Sequence, residues 1–187
     1  MTFYNVISGI LFLGACQAFL VMLGTPGMWA AAVLVITILN ESVITSELIE
    51  RTQSPVPYKL GMKLLDFLAF GLLAWALLAV SPVTNTFNVD VAASLWGAGR
   101  PRWFWGLLTV YWLVTLCWNQ VAGQRDSTKW ATPFFYAMHF MALPAFMAAV
   151  VNRDAIDFAS ASVWPSVVAL LVVSIYLVSK LVAAKTV

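Results

Sequence analysis

Charge is what this sequence has least of. Lys, Arg, Asp and Glu make up 10% of its 187 residues, against about 25% in a soluble domain. Mean hydropathy is +0.89. Such a chain lacks the polar residues to cover a water-soluble globule, so a polytopic membrane protein is expected. The net charge of +2 is small and scattered, which excludes nucleic acid as a partner. There is one histidine, His139, which excludes a haem held by two His and leaves no obvious Ser or Cys partner for a nucleophilic triad. The two cysteines, Cys16 and Cys117, fall in apolar runs without metal-like spacing and read as buried small hydrophobes. A Gly-rich phosphate loop and an acidic cluster for Mg²⁺ are both missing, so phosphate chemistry is not expected. No internal repeat and no inverted pair of Gly/Pro-broken helices is visible. Leu13-Gly14-Ala15-Cys16 looks faintly like a lipoprotein processing site. No Lys or Arg precedes that apolar stretch, so a cleaved signal is not expected.

Long hydrophobic runs are present instead. Between breakers they predict six transmembrane helices, about 4–23, 28–50, 61–80, 103–121, 131–151 and 160–182. Gly24-Thr25-Pro26-Gly27, Pro55-Val56-Pro57 and Ser81-Pro82 punctuate them, and Pro144 and Pro165 fall inside the last two. The expected fold is therefore all-α, one transmembrane helical domain over 1–187. Arg51, Lys59, Lys63, Arg125, Lys129, Lys180 and Lys185 lie on one side, and Arg100, Arg102 and Arg153 on the other. That bias of 7 against 3 places both termini in the cytoplasm. The expected location is the bacterial inner membrane. The longest loop, 81–101, is then external. It holds Asn85, Asn88 and Asp90, and its apolar piece 91–96 is expected on the membrane surface. Nine Trp, several near run ends, suit interfacial anchoring.

One carboxylate stands out. Glu41 sits inside an apolar run, and positions 37, 38, 44 and 45 are Thr, Ile, Ile and Thr. No cation lies within a helical turn, so any partner comes from another helix. A charge at bilayer depth costs roughly 2.5–3.5 kcal/mol on insertion scales. At 1.5 Å per residue, Glu41 lies roughly 10 Å from the cytoplasmic side, Asp66 roughly 8 Å and His139 roughly 12 Å. Thr115, Cys117, Trp118, Asn119 and Gln120 close the fourth run on that side, Ser174, Tyr176 and Ser179 lie at similar levels in the sixth, and Asn5 and Ser8 open the first there. The outer half carries no ionisable side chain, only groups such as Thr109 and Ser166 that a helix satisfies alone.

Each group also has a plainer role. Glu47–Arg51 and Lys59–Lys63–Asp66 have helical spacings that suit solvated ion pairs, with Lys63 snorkelling outward. His139, Asn40 and Asn119 are often hydrogen-bonded packing residues. Trp118, Phe134, Phe135, Tyr136 and Phe140 suit packing as well as a substrate box. Glu41 has no such local account.

A carboxyl group withdrawn from water favours its neutral, proton-bearing form. Reached from one side, with an apolar blind end and many aromatics, it suits a lipid-like substrate. The expected chemistry is acid-initiated cyclisation or isomerisation of an isoprenoid-like alkene or epoxide, with aromatic faces steadying a carbocation. The candidate catalytic residues are Glu41, Asp66 and His139. The candidate substrate-binding residues are Asn40, Trp118, Asn119, Tyr136 and Tyr176. No cofactor is expected. A metal held by Glu41, Asp66 and His139 matches in number but forms no motif.

The segment Asn40-Glu41, followed by a short Pro-containing loop and Leu64-Leu65-Asp66, resembles the integral-membrane terpene cyclases of meroterpenoid and indole-terpenoid pathways. The resemblance covers about thirty residues. It implies that Glu41 protonates the substrate. That family typically has seven spans and a second acid on the last one, whereas this chain has six runs and no acid after Asp157.

Two other readings stay open. Buried Glu, Asp and His also make a proton relay for a transporter or channel, although a through-path needs polar lining on both sides. A nearly loopless 20.5 kDa chain also suits a non-catalytic subunit of a larger membrane complex. Expected partners are membrane lipids and a lipophilic small molecule, with a homo-oligomer or a larger membrane complex as further options.

Overall fold

The computed structural model describes residues 2–51, 60–81, 99–122 and 131–184, with side chains except at 2–5, 43–51, 60, 62, 119–122, 131–139 and 179–184. Those residues are all helical or connecting, with no strand among them. The six helices are α1 (Thr2–Val21), α2 (Gly27–Arg51), α3 (Leu60–Val80), α4 (Arg100–Ala122), α5 (Ala131–Val151) and α6 (Val163–Ala184). The apolar runs predict all six, and the fifth to the residue. The fourth starts three residues earlier than its hydrophobicity suggests, because Pro101 fits a first helical turn that needs no N–H. The sixth starts three residues later, because 152–162 is a structured connection rather than a helix start. The apolar segment 91–96, Asn85, Asn88, Asp90, the prolines at 55 and 57, and Lys59, Arg125, Lys129 and Lys185 lie outside the described residues.

The helices close a circuit: α1 packs on α2, α2 on α6, α6 on α5, α5 on α4, α4 on α3, and α3 back on α1. A further contact, α2 on α3, divides it. Five helices, α2, α6, α5, α4 and α3, thus surround one interior, and α1 buttresses α2 and α3 from outside. α2 belongs to both parts and carries no exposed side chain over 27–42. Small buried residues let helices approach: Ala15, Ala30 and Ala31 on α1 and α2, and Ala142, Ala145 and Ala148 on α5.

The outer surface is apolar. Ile10, Leu13, Phe67, Phe146, Trp164 and Ile175 are among many large hydrophobic side chains left exposed. Among the described residues, one helix is long and apolar enough to cross a membrane, over Lys63–Val80. Shorter apolar helices run over Val6–Val21, Gly27–Ser42, Phe140–Val151 and Val163–Val178. Cys117 differs from expectation, since its side chain is exposed on the outer face of α4, and Cys16 is half-buried. Neighbours on one helix turn face different ways, and hydrophobicity alone does not say which.

The end of the bundle formed by the start of α4 and the 152–162 connection is tied by named bonds. Arg100 donates from Nε to Ala79 O at 3.1 Å and from Nη2 to Ser81 O, and its backbone N–H donates to Ile156 O at 3.1 Å. Gly99 permits this approach, since a Cβ there would lie 1.8 Å from the Ala155 carbonyl oxygen. Asn152, buried, donates from Nδ2 to Ala148 O at 2.9 Å and accepts the Ser162 N–H at 2.6 Å, joining the end of α5 to the start of α6. Phe158 folds inward edge-on to Phe104, with ring centroids 5.7 Å apart. At the α1–α2 turn, Gly24 takes φ +80°, and Thr25 donates to Met22 O at 2.7 Å.

Candidate functional site

α2 is apolar enough to be buried all round, and burial of that helix carries Glu41 inside with it. Its side chain is 7% exposed. Helical spacing puts Thr37 on the face of Glu41, one turn before it, and Asn40, the residue just before Glu41, on a face shared with Thr37. Across the interior, Tyr111 of α4 donates its hydroxyl hydrogen to Glu41 Oε2 at 2.5 Å. α2 and α4 are not packed side by side, so the tyrosine bridges the space between them. The phenol is fixed from behind: its ring lies edge-on to Trp112 at 5.0 Å, and Trp112 lies edge-on to Tyr176 of α6 at 6.2 Å. Asn40 donates from Nδ2 to the Val173 carbonyl of α6 at 3.4 Å.

Asp66, half-buried on α3, lies within electrostatic reach of Glu41. The Trp118 indole N–H also interacts with Asp66, though it falls short of hydrogen-bond geometry. The structure thus brings Glu41, Asp66, Trp118, Asn40 and Tyr176 to one interior region from four helices. His139 and Tyr136 fall on α5 and Asn119 on α4, at positions whose side chains lie outside the described residues. So do the side chains of Asn5, Glu47, Glu50, Arg51, Phe134, Phe135, Ser179 and Lys180. Phe140 points outward, 63% exposed, and is not part of this lining.

Tyr111 is the residue that sequence reasoning misses. Its signal is faint: a phenol rather than a phenyl ring in the middle of an apolar run, roughly 16 Å from the Ala122 end of α4 at helical rise. A buried Tyr seeks a partner for its O–H, and a lone buried acid is the natural acceptor. Among the described residues no group of His, Cys, Asp and Glu is arranged to hold a metal ion.

The arrangement defines a class by geometry: a helical bundle with a hydrogen-bonded carboxyl–phenol pair and a second carboxyl inside it. No family model matches the chain, and neither a curated protein nor a solved structure does.

Proposed function

We propose that the helices span a membrane and that the bundle is an enzyme. It isomerises or cyclises a lipophilic, isoprenoid-like alkene by protonating it from Glu41. Two observations support the membrane setting. Large apolar side chains cover the outer face far beyond what a monomeric soluble protein exposes. Only 33% of the Lys63–Val80 stretch is buried, which supports apolar surroundings for that helix.

The chemistry rests on the Glu41–Tyr111 contact. The acid approaches the alkene, its O–H bond breaks, and a C–H bond forms at one alkene carbon. Positive charge is left on the other carbon. The faces of Trp112, Trp118 and Tyr176 attract that cation. The Asp66 carboxylate then removes a proton from the adjacent carbon, and the electrons of that C–H bond restore a double bond. The product is an isomer or a cyclised isomer of the substrate, so no oxidant or reductant is needed. Asp66 is half-exposed and passes the proton to solvent, and Glu41 takes up a solvent-derived proton before the next turnover. Tyr111 positions Glu41 and holds the carboxylate left after transfer by a charge-assisted hydrogen bond.

Reconstitution in liposomes in D₂O, with a panel of prenyl alkenes, tests this. The expected result is a rearranged product of unchanged formula carrying one deuterium on carbon. Glu41→Gln should abolish it while leaving the fold intact, and Tyr111→Phe should lower kcat by about 10²-fold, the low end of general acid–base effects. Absence of product across the panel sinks the enzyme reading. Glu41-dependent proton or solute flux would put the coupled Glu41–Asp66 pair to use in a transporter instead.

A further inference from the structure

Beside Glu41 the structure leaves polar atoms without partners. Thr37 and Asn40 are both fully buried, and Thr37 Oγ1 and Asn40 Oδ1 have no hydrogen-bond partner. An unsatisfied buried polar group costs about 1–3 kcal/mol, and native structures keep few of them. Thr37 has an easy local solution, since a helical threonine can bond the carbonyl one turn back. Thr109 and Thr115 do so, to Trp105 O at 2.8 Å and Tyr111 O at 3.0 Å. Thr37 does not. Asn40 is anchored through its Nδ2 to Val173 O, and that bond leaves its Oδ1 free to accept. The two orphaned atoms stand three residues apart on one helix face, with Cβ atoms about 5–6 Å apart at that spacing. Neither atom meets open space, so a group that both donates and accepts must displace neighbouring side chains to answer both. A hydroxyl is such a group: its hydrogen goes to Asn40 Oδ1 and its oxygen accepts from Thr37 Oγ1–H.

We propose that Thr37 and Asn40 form a recognition subsite for a hydroxyl group on the lipophilic molecule that Glu41 acts on. The proposal rests on the reading of Glu41 as the acid, and it narrows the substrate class from isoprenoid-like hydrocarbons to hydroxylated ones. Burial makes the preference strong, because the alternative to the hydroxyl is two polar groups left dry in an apolar interior. An uncharged group suits the subsite, since neither side chain offers a countercharge.

The test is binding, read by the thermal shift of the full chain in detergent, so it needs no turnover. Geranylgeraniol and the hydrocarbon that lacks only its hydroxyl are compared on the wild type, Glu41→Gln, Asn40→Leu and Thr37→Val. The alcohol is expected to bind at least tenfold tighter than the hydrocarbon to the wild type and to Glu41→Gln. Asn40→Leu and Thr37→Val should each shrink that ratio to less than threefold while hydrocarbon binding is kept. Equal binding of the two ligands to the wild type, or an unchanged ratio in folded Thr37→Val, overturns the subsite. Preference for the alcohol with no product in D₂O leaves the subsite standing and removes the acid chemistry. Product formed equally from both ligands does the reverse.

Discussion

The end of the bundle around Arg100 and Asn152 and the layer around Glu41 solve the same problem in opposite ways. Both place polar groups among apolar helices. At the first, Asn152 uses both its amide hydrogen and its oxygen on backbone groups, and Arg100 spreads its donors over carbonyls from Ala79, Ser81 and Ile156. These bonds join helix ends and fix the connection between α5 and α6. In the Glu41 layer the close bond from Tyr111 runs between side chains, and Thr37 Oγ1, Asn40 Oδ1 and Trp118 Nε1 are left without hydrogen bonds, as is Trp105 Nε1 further along α4. One region is organised for stability. The other leaves buried polar groups unsatisfied, which is what the proposed ligand subsite rests on.

Substitutions can break that contrast, beginning with the largest effect. Gly99→Val should cost more than about 3 kcal/mol or prevent folding, because the new Cβ meets a backbone oxygen that cannot give way. Thermal unfolding in detergent reads this. Asn152→Ala should cost about 1–3 kcal/mol by leaving the Ser162 N–H unpaired in the α5–α6 connection, and amide exchange at Ser162 should rise with it. In the other region the sign should turn. Thr37→Val keeps the shape and removes an orphaned hydroxyl, so without ligand it should be neutral or stabilising by up to about 1 kcal/mol. A loss above about 1 kcal/mol would mean that Thr37 is part of the packing, and the contrast would fail.

The smallest effect is at Asp157, in the connection of the clamped end. Ser160 donates its backbone N–H to Asp157 Oδ1 at 2.9 Å, with its hydroxyl alongside at 2.9 Å, and these bonds hold the Asp157 carboxyl below its ordinary range. A carboxyl lowered in the folded state stabilises above its unfolded value near 3.9, and that share is lost as pH falls through the folded value. Asp157 is exposed and screened, so the loss should be less than about 0.5 kcal/mol and confined below about pH 4. Comparing Asp157→Asn with the wild type across pH 3–7 reads it, and a difference in the pH dependence near neutrality would contradict the assignment.

Much of the architecture was legible in residue order. Apolar runs and Pro/Gly breakers mark all six helices because a helix buried among helices or lipid must be apolar on most faces. The site was half legible. Glu41 announces itself because nothing near it in sequence can pair with it, and helical depth alone brings Asp66 and Trp118 to its level. Tyr111 does not announce itself, since a tyrosine in an apolar run looks like any packing aromatic until the helix opposite is known. Cys117 was misjudged for the same reason, since its run is apolar on every face and one face turns outward.

Composition and run length by themselves determined the six apolar helices of the described residues and an acid, Glu41, with no cation within a helical turn of it in sequence. Tertiary structure decided the partner: which helices are neighbours depends on packing between segments distant in the chain, and α2 meets α6 while Tyr111 of α4 reaches across to Glu41. A hydrogen bond needs two atoms within about 3 Å, and helices of nearly uniform hydrophobicity carry no mark of which face turns inward until their neighbours are in place.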